Sequence, residues 1–354
     1  MKFKLNTVPI DPLQYIAIVR GEPKVGKTSL AKELIKQVLG SPEKGLLLAV
    51  GTEIGYTTMS DIQAEPVQNW AKLDEVKKEL FAEKDKRTHG IEFVVIDTAD
   101  ELYKIAEQAE IDKHNKLNPS SQQNSVNGIF GGYGNGHLAV NKRVKSFIAE
   151  LRANGYGVMV LEHTKFKNVK DPDGDYEVVT SNLDPRYSQA LASIADIITV
   201  LRTVRTTDSD GKLVKSTRKM FFRNTGWVDA GSRFASIRES IDAGKDATEM
   251  AKNYITVVRE AISNASNKPV SVKEEEQERN EVSKKKSEEA VNEVESLLAT
   301  LKDKKTEYAA KKAEDESLPT FNSIVLGIVP DFLSSKKKLQ DLSVDEMNQI
   351  ISQL

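Results

Sequence analysis

Residues 14–28 read QYIAIVRGEPKVGKT and decide the fold at the start of the chain. Residues 14–20 are apolar and β-branched, which predicts a buried strand. Residues 21–28 follow the pattern GxxxxGKT, in which glycines allow backbone N–H groups to face phosphate oxygens. Residues 29–39 then place apolar side chains at helical spacing. The order of strand, glycine-rich loop and helix predicts a phosphate-binding loop in an α/β fold.

The residue types in this loop indicate its ligand. Lys27 supplies a positive charge for the β- and γ-phosphates of a nucleotide, and Thr28 offers a hydroxyl to Mg²⁺ at the helix N-terminus. We therefore expect ATP and Mg²⁺ as cofactors. The expected nucleotide contacts are Gly21, Glu22, Pro23, Lys24, Val25, Gly26, Lys27, Thr28 and Ser29.

A second apolar run ends in an acid. Residues 91–97 (IEFVVID) predict a strand that presents Asp97 where a Walker B carboxylate would hold Mg²⁺. The alternative is an ordinary strand followed by a helix-capping aspartate. Thr98, rather than a glutamate, follows Asp97, which counts against a hexameric AAA+ motor. Thr28 and Asp97 are the predicted metal ligands.

Composition excludes several classes of protein. The 354 residues include no cysteine and 4 histidines, so disulfides, thiolate metal sites and cysteine nucleophiles are excluded. No apolar run approaches the roughly 20 residues that a membrane span needs. The first residues lack the apolar segment of a signal peptide. We expect a soluble cytoplasmic protein with no membrane partner.

Charge is distributed unevenly along the chain. The totals of 51 basic and 53 acidic residues nearly cancel, yet residues 268–316 alone contain 11 basic and 14 acidic residues. Such a segment cannot bury enough apolar surface to fold compactly. We expect an ATPase core over residues 1–267, a charged helical or disordered linker over 268–316, and a small helical module over 317–354.

The last two regions contain apolar residues at helical spacing. The seam in the linker, formed by Val291, Val294, Leu298, Leu301 and Tyr308, is too short for a coiled coil, so an exposed helix is favoured over a dimerising one. Ser343 and Glu346 form a capping box before an amphipathic helix. We expect this helix to pack on its own module; the alternative is a handle for a single-strand-binding or other replication protein.

Four segments in order resemble the RecA-like recombinase core: GEPKVGKTS, GLLLAV followed by Glu53, FVVID and VMVLEHTK. Residues 131–151 and 230–234 are similar to compact phage AAA/RecA-like proteins that act as single-strand annealing recombinases. The resemblance covers residues 10–262. It implies a P-loop NTPase fold with a mostly parallel central sheet flanked by helices. It also implies DNA-stimulated ATPase activity, single-stranded DNA as a partner, and a homo-oligomeric ring or filament.

The resemblance also implies catalytic roles. It makes Glu53 the carboxylate that activates water, and it places His163 where the RecA group has a γ-phosphate sensor, usually Gln. A structural histidine is the alternative. It aligns Arg223 with a cation that reaches the nucleotide of a neighbouring subunit, with Arg233 as the rival candidate. A surface role remains open for both arginines. The expected catalytic residues are Lys27, Glu53, His163 and Arg223.

Two segments, residues 113–136 and 164–187, correspond to loops that face DNA in RecA-like proteins. The second combines cations with aromatic rings, which suits the phosphates and stacked bases of a single strand. Its candidate DNA contacts are Lys165, Phe166, Lys167, Lys170 and Arg186. The sequence DPDGD at 171–175 predicts a hairpin turn, so a plain surface hairpin is the alternative.

A further hairpin is predicted from residues 197–206 and 213–223, joined around 210–211. It is rich in cations: Arg202, Arg205, Lys212, Lys215, Arg218, Lys219 and Arg223.

The motifs favour an ATP-binding and ATP-hydrolysing protein. The resemblance implies that it is a phage DNA recombination protein that binds single-stranded DNA and promotes annealing or strand pairing in the host cytoplasm. One alternative is a replication ATPase such as a helicase loader or helicase-like motor. Another is a nucleotide-gated interaction module in which hydrolysis is marginal.

Overall fold

The computed structural model describes residues 7–82, 90–172, 174–210, 212–329, 332–333, 338–342 and 344–354. The chain forms two compact units, Met1–Asn280 and Glu281–Leu354. A ten-stranded sheet lies in the first unit. The side chains of residues 283–295 and the whole of Ser343 lie outside the described part. The structure therefore does not describe the seam residues Val291 and Val294 or the serine of the predicted capping box.

The strands of the sheet are β1 (Ala17–Gly21), β2 (Gly45–Val50), β3 (Gln63–Val67), β4 (Phe93–Asp97), β5 (Gly157–Val169), β6 (Tyr176–Ser181), β7 (Ile197–Thr207), β8 (Leu213–Phe221), β9 (Gly231–Ser232) and β10 (Ser240–Asp242). Their order is β10-β8-β7-β1-β5-β4-β2-β3, with β6 paired to β5 and β9 to β7. All pairs from β7 through β1 to β3 are parallel. The mostly parallel sheet predicted from the sequence is confirmed.

The helices are α1 (Lys27–Leu39), α2 (Trp70–Ala82), α3 (Ala99–Leu117), α4 (Asn135–Ala153), α5 (Pro185–Ala192), α6 (Ala247–Ser266), α7 (Val272–Glu314), α8 (Phe321–Ile328) and α9 (Val344–Gln353). None of the helices in the described ranges is both long enough and apolar enough to cross a membrane.

Helices cover both faces of the sheet, because the central strands are apolar on both sides. All five residues of β1 and of β4 are buried. Ile18 packs with apolar residues of α2 to α5 on one face, whereas Val19 packs with those of α1 and α6 on the other. Continuous apolar strands are expected when a parallel sheet is buried on both faces.

The register brings the predicted functional residues to one edge of the sheet. Gly21 at the end of β1 lies opposite His163 in β5, and Asp97 at the end of β4 lies between Leu161 and Ala49. Since the carboxyl ends of parallel strands meet at the same edge, the loops that follow β1, β2 and β4 converge there.

Residues 164–187 differ from the predicted loop. Strand β5 continues to Val169 and pairs antiparallel with β6, and α5 follows from Pro185. The hairpin turn predicted around DPDGD therefore joins two regular strands; Asp173 itself lies outside the described residues. The second predicted hairpin is confirmed as β7 and β8, with Gly211 outside the described residues.

The second unit has its own apolar core. Leu301 and Tyr308 of α7 are buried together with Val325 of α8 and Met347 of α9. The predicted packing of the last helix on its own module is confirmed, and the apolar residues at the end of the seam contribute to that core. Leu333, by contrast, is 55% exposed.

Candidate nucleotide site

The phosphate-binding loop connects β1 to α1 and depends on its glycines. Gly26 has a φ of 108° and immediately precedes the first helical residue. That left-handed conformation favours glycine over residues that carry a Cβ. At Gly21, a Cβ would lie 2.6 Å from the Leu201 carbonyl oxygen of the neighbouring β7. The backbone geometry therefore requires glycine at positions 21 and 26, as does the approach of the phosphates to the loop.

Lys27 lies inside the loop and is only 6% exposed. Its Nζ donates hydrogen bonds to the carbonyl oxygens of Gly21, at 3.0 Å, and Glu22, at 3.1 Å. Burial lowers the pKa of Lys27, and the negative charges of Asp97 and Asp100 counteract this effect. The ammonium group is therefore held within the loop whose backbone would surround the phosphates.

Thr28 and Asp97 meet as the sequence predicts. The Thr28 hydroxyl donates to Asp97 Oδ2 at 2.9 Å. Burial raises the pKa of Asp97, while the Thr28 hydrogen bond and the charge of Lys27 lower it. A hydroxyl and a carboxylate are hard oxygen donors of the kind that Mg²⁺ prefers when phosphates supply further ligands. Among the described residues, no group of three or more acidic or histidine side chains could form a metal cage.

Glu53 follows β2 at the same edge of the sheet. Burial and the charge of Asp97 raise the pKa of its carboxyl group, whereas His163 and Lys27 lower it. These interactions place Glu53 within the electrostatic field of the loop, beside the strand that carries Asp97. A carboxylate with a raised pKa is better suited to accept a proton near neutral pH.

His163 is held by two residues that the sequence analysis did not assign. Asp100 Oδ2 accepts a hydrogen bond from the His163 backbone N–H at 3.0 Å and lies 3.3 Å from its Nδ1. The Asn182 side chain donates to Asp100 Oδ1 at 3.0 Å. Burial raises the pKa of Asp100, but the hydrogen bonds from His163 and Asn182 outweigh it and leave that pKa below its usual value. The acidic run after Asp97 was the available sequence signal for Asp100.

A buried ion pair lies directly behind the site. Arg20 Nε lies 3.1 Å from Glu162 Oε2, and Arg20 also contacts Asp229 at 3.0 Å. Arg20 and Glu162 are opposite one another in the β1–β5 register. Each precedes a site residue, so the pair positions Gly21 and His163 relative to each other.

The two arginines considered for action on a neighbouring subunit contact their own chain. Arg223 Nε donates to the Ile237 carbonyl at 2.9 Å, and its Nη2 contacts the Ala235 carbonyl. Arg233 pairs with Asp196 at 3.1 Å. These contacts hold both guanidinium groups on other segments of the chain, and the role in trans stays a prediction.

The candidate DNA residues do not form one surface. Lys165 and Lys167 alternate with Phe166 along β5, and side chains of successive strand residues point to opposite faces. Lys165 donates to the Asn182 carbonyl at 3.2 Å. Arg186 forms a two-pronged ion pair with Asp184, with both distances 2.9 Å. Lys167 and Lys170 are exposed.

Tyr187, one of the aromatic residues in that predicted loop, is not available for base stacking. It is 4% exposed, its ring stacks on Tyr103, and its hydroxyl bonds to Glu107 and His137. Residues 113–136 are likewise partly packed, since Val126 and Ile129 are buried. Tyr133, between glycines in this segment, is fully exposed.

Arg218 of β8 lies beside the loop. Its Nη1 is 3.4 Å from the position that a Cβ on Gly26 would occupy. From the sequence, Arg218 is only one of the hairpin cations. Its position beside the loop follows from the register of β8 in the sheet, which the sequence pattern does not predict.

A protein-family model described as an AAA domain matches residues 14–234. The chain belongs to the AAA domain family. The matched region extends from β1 to β9 and contains the loop, Asp97, Glu53 and His163. A search of curated proteins gives no match.

Membership of the AAA domain family supports a P-loop ATPase core in this chain. It thereby supports nucleotide binding and hydrolysis in general. Position 98 of this AAA domain is threonine rather than glutamate, and Glu53 follows β2, which pairs in parallel with the strand that ends in Asp97.

Proposed function

We propose that this AAA domain hydrolyses ATP with Mg²⁺ and uses the reaction to act on single-stranded DNA, with annealing or strand pairing in phage recombination as its task. The observation that carries the ATPase part is the convergence of Lys27, the Thr28–Asp97 pair and Glu53 at one edge of the sheet.

Binding of ATP would use the loop directly. Lys27 would donate to β- and γ-phosphate oxygens, and backbone N–H groups at the start of α1 would add further donors. Thr28 and Asp97 would hold Mg²⁺. Once bound, the metal neutralises charge on the phosphates.

Hydrolysis needs a proton acceptor and a group that orients the γ-phosphate. Glu53 would accept the proton of the attacking water. Asp100, which faces Nδ1 of His163, leaves Nε2 as the ring nitrogen that can meet a phosphate oxygen. The buried Arg20–Glu162 pair would keep both strands in register while the reaction proceeds.

The DNA part of the proposal is supported by the resemblance and by the two hairpins that extend from the sheet. The β7–β8 hairpin carries several cations, and single-stranded nucleic acid binds where cations and aromatic rings are close together. A near-neutral total charge implies that binding would be local and salt-sensitive. Assembly into a ring or filament would multiply such contacts.

The test is the ATPase rate with and without a single-stranded oligonucleotide, combined with annealing of two complementary oligonucleotides. We expect DNA to stimulate hydrolysis and the protein to accelerate annealing. ATP hydrolysis without either effect would refute the DNA function and favour a nucleotide-gated interaction module.

A further inference from the structure

The residues Phe166, Arg202 and Trp227 come from three separate segments and form one cluster, here called the stacking cluster. The Arg202 guanidinium carbon lies 5.6 Å from the Phe166 ring centroid and 5.1 Å from the Trp227 ring centroid. Both distances are within the range of a cation–π contact. One guanidinium is thus shared between two aromatic rings.

The backbone holds the two rings near each other. Phe166 lies opposite Val179 in the β5–β6 register. The Val179 N–H donates to the Trp227 carbonyl at 2.9 Å, so the turn that carries Trp227 is attached to the residue facing Phe166. Trp227 also packs edge-on against Phe221, with 5.2 Å between the centroids. The rings are therefore positioned before any ligand arrives.

Both rings remain accessible. Phe166 is 48% exposed and Trp227 is 38% exposed. Arg202, in contrast, has a buried Nε with no hydrogen-bond partner in the described part of the chain. An arginine whose Nε is withdrawn from water and whose guanidinium lies against two rings is better explained as a support for the rings than as a solvated surface charge.

Strand register adds cations to the same face. Lys219 lies directly opposite Arg202, and Lys215 lies opposite Thr206, four residues further along β7. Directly opposed residues and residues two apart share a face of a hairpin. On the β5–β6 hairpin, the charged residue that shares the face of Phe166 is the acidic Glu177. The positive charge near the rings therefore comes from the β7–β8 hairpin.

We propose that the stacking cluster binds the bases of single-stranded nucleic acid, with Phe166 and Trp227 as the stacking rings and Arg202 as their positioning residue. The phosphates would lie along Lys215 and Lys219. This inference rests on the proposed function. It assigns a role to Trp227, which the sequence did not single out, and to Arg202, which the sequence named only as one of the hairpin cations. Stacking accepts any base because every base has an aromatic face.

The first test measures affinity for a fluorescein-labelled oligo-dT by fluorescence anisotropy. Phe166→Ala and Trp227→Ala are each expected to weaken binding about tenfold. Tyr176→Ala is the matched control, because Tyr176 is 44% exposed on the same hairpin but pairs with Val169 and so lies on the opposite face. The control should bind within about twofold of the wild type.

Two further variants separate stacking from folding and from charge. Trp227→Leu keeps apolar contact with Phe221 but removes the indole, and it should weaken binding as Trp227→Ala does while melting like the wild type. Arg202→Lys keeps the charge but not the planar group. It should lower affinity with no change in the slope of affinity against salt, because the number of phosphate contacts is unchanged.

Tryptophan fluorescence reads the contact directly. The chain has two tryptophans, and Trp70 is buried whereas Trp227 is exposed. Oligo-dT should quench the fluorescence of the wild type, and an abasic oligonucleotide of equal length should not. Quenching of equal size by both would overturn stacking in favour of phosphate contact alone.

The outcomes distinguish this inference from the proposed function. A wild type that hydrolyses ATP but binds no oligonucleotide would overturn the DNA function and the cluster's assignment together. A wild type that binds, with unchanged affinity in the Phe166 and Trp227 variants, would overturn only the stacking cluster. A lower mass of Trp227→Ala in light scattering, with unchanged affinity, would instead assign the rings to an interface between copies.

Discussion

The nucleotide site and the stacking cluster lie in the same compact unit and are built in opposite ways. Lys27 and Thr28 are neighbours in a loop of contiguous sequence, and Lys27 is buried with its partners already bound. Phe166, Arg202 and Trp227 are distant in sequence and partly exposed. Phe166 and Arg202 lie in paired strands, and a backbone hydrogen bond to Val179 holds the turn that carries Trp227. Single substitutions in the buried nucleotide site should therefore reduce both its function and the stability of the fold. Single substitutions in the exposed stacking cluster should reduce only binding.

The largest effect is expected at Lys27. Lys27→Ala removes the proposed charge-assisted hydrogen bonds from Nζ to the β- and γ-phosphates, worth about 1.5–3 kcal/mol each, so ATP affinity should fall by about a hundredfold or more. Calorimetric titration with ATP measures this, with the exposed Lys36→Ala of the same helix as control. Oligonucleotide binding without nucleotide should persist in Lys27→Ala. Its loss would contradict the separation of the two regions.

Glu53→Gln is expected to keep ATP binding but to lower turnover by about 10²–10⁴, the usual contribution of a general base. Phosphate release under saturating ATP measures the rate. Glu43→Gln, at the opposite end of β2, is the matched control and should turn over normally. Unchanged turnover in Glu53→Gln would remove Glu53 from the mechanism.

Stability should also distinguish the regions. Glu162→Ala leaves Arg20 buried beside a missing partner, which typically costs about 3–5 kcal/mol. Phe166→Ala, at an exposed ring, should cost about 1 kcal/mol or less. Urea unfolding measures both. A similar cost for the two variants would show that the stacking cluster contributes to the core.

The smallest effect concerns Asp184 and its dependence on pH. The hydrogen bond from Arg186 lowers the pKa of Asp184 to about 2. A depressed pKa stabilises the folded state above the unfolded value of about 4, and this stabilisation is lost as pH falls toward 2. Because the pair is partly exposed, Asp184→Asn should cost about 0.2–1 kcal/mol at pH 7.

The cost of Asp184→Asn should shrink as thermal unfolding is repeated from pH 7 to pH 3. The same variant releases Arg186, so oligonucleotide binding should strengthen slightly if this cation meets DNA. A cost that grows toward low pH would contradict the assigned ion pair.

Much of the site's location could be predicted from sequence. The loop at residues 21–28 has a local chemistry that requires its glycines and its lysine, and a strand and helix follow from the flanking apolar pattern. Asp97 was predictable because an acid at the end of a buried strand is conspicuous. Asp100 and Asn182 were not, since their meeting at His163 depends on how far β5 extends beyond the sheet and where β6 ends.

The candidate DNA contacts show the limit of the sequence pattern most clearly. In the sequence, Phe166 lies between Lys165 and Lys167. This pattern suggests a single surface that combines an aromatic ring with two cations. In the strand, their side chains alternate between faces, so the cation that meets Phe166 is Arg202 of another hairpin. Sequence patterns that assume a loop fail where the segment becomes a strand.

The sequence by itself determined the phosphate-binding loop, the strands around it and the P-loop ATPase core, because these depend on residues close together in the sequence. The tertiary structure alone decided which side chains meet across strands: Arg20 with Glu162, His163 with Asp100, and Arg202 with two aromatic rings. Such contacts depend on strand order and register, which are fixed by the packing of the whole sheet and not by any short segment.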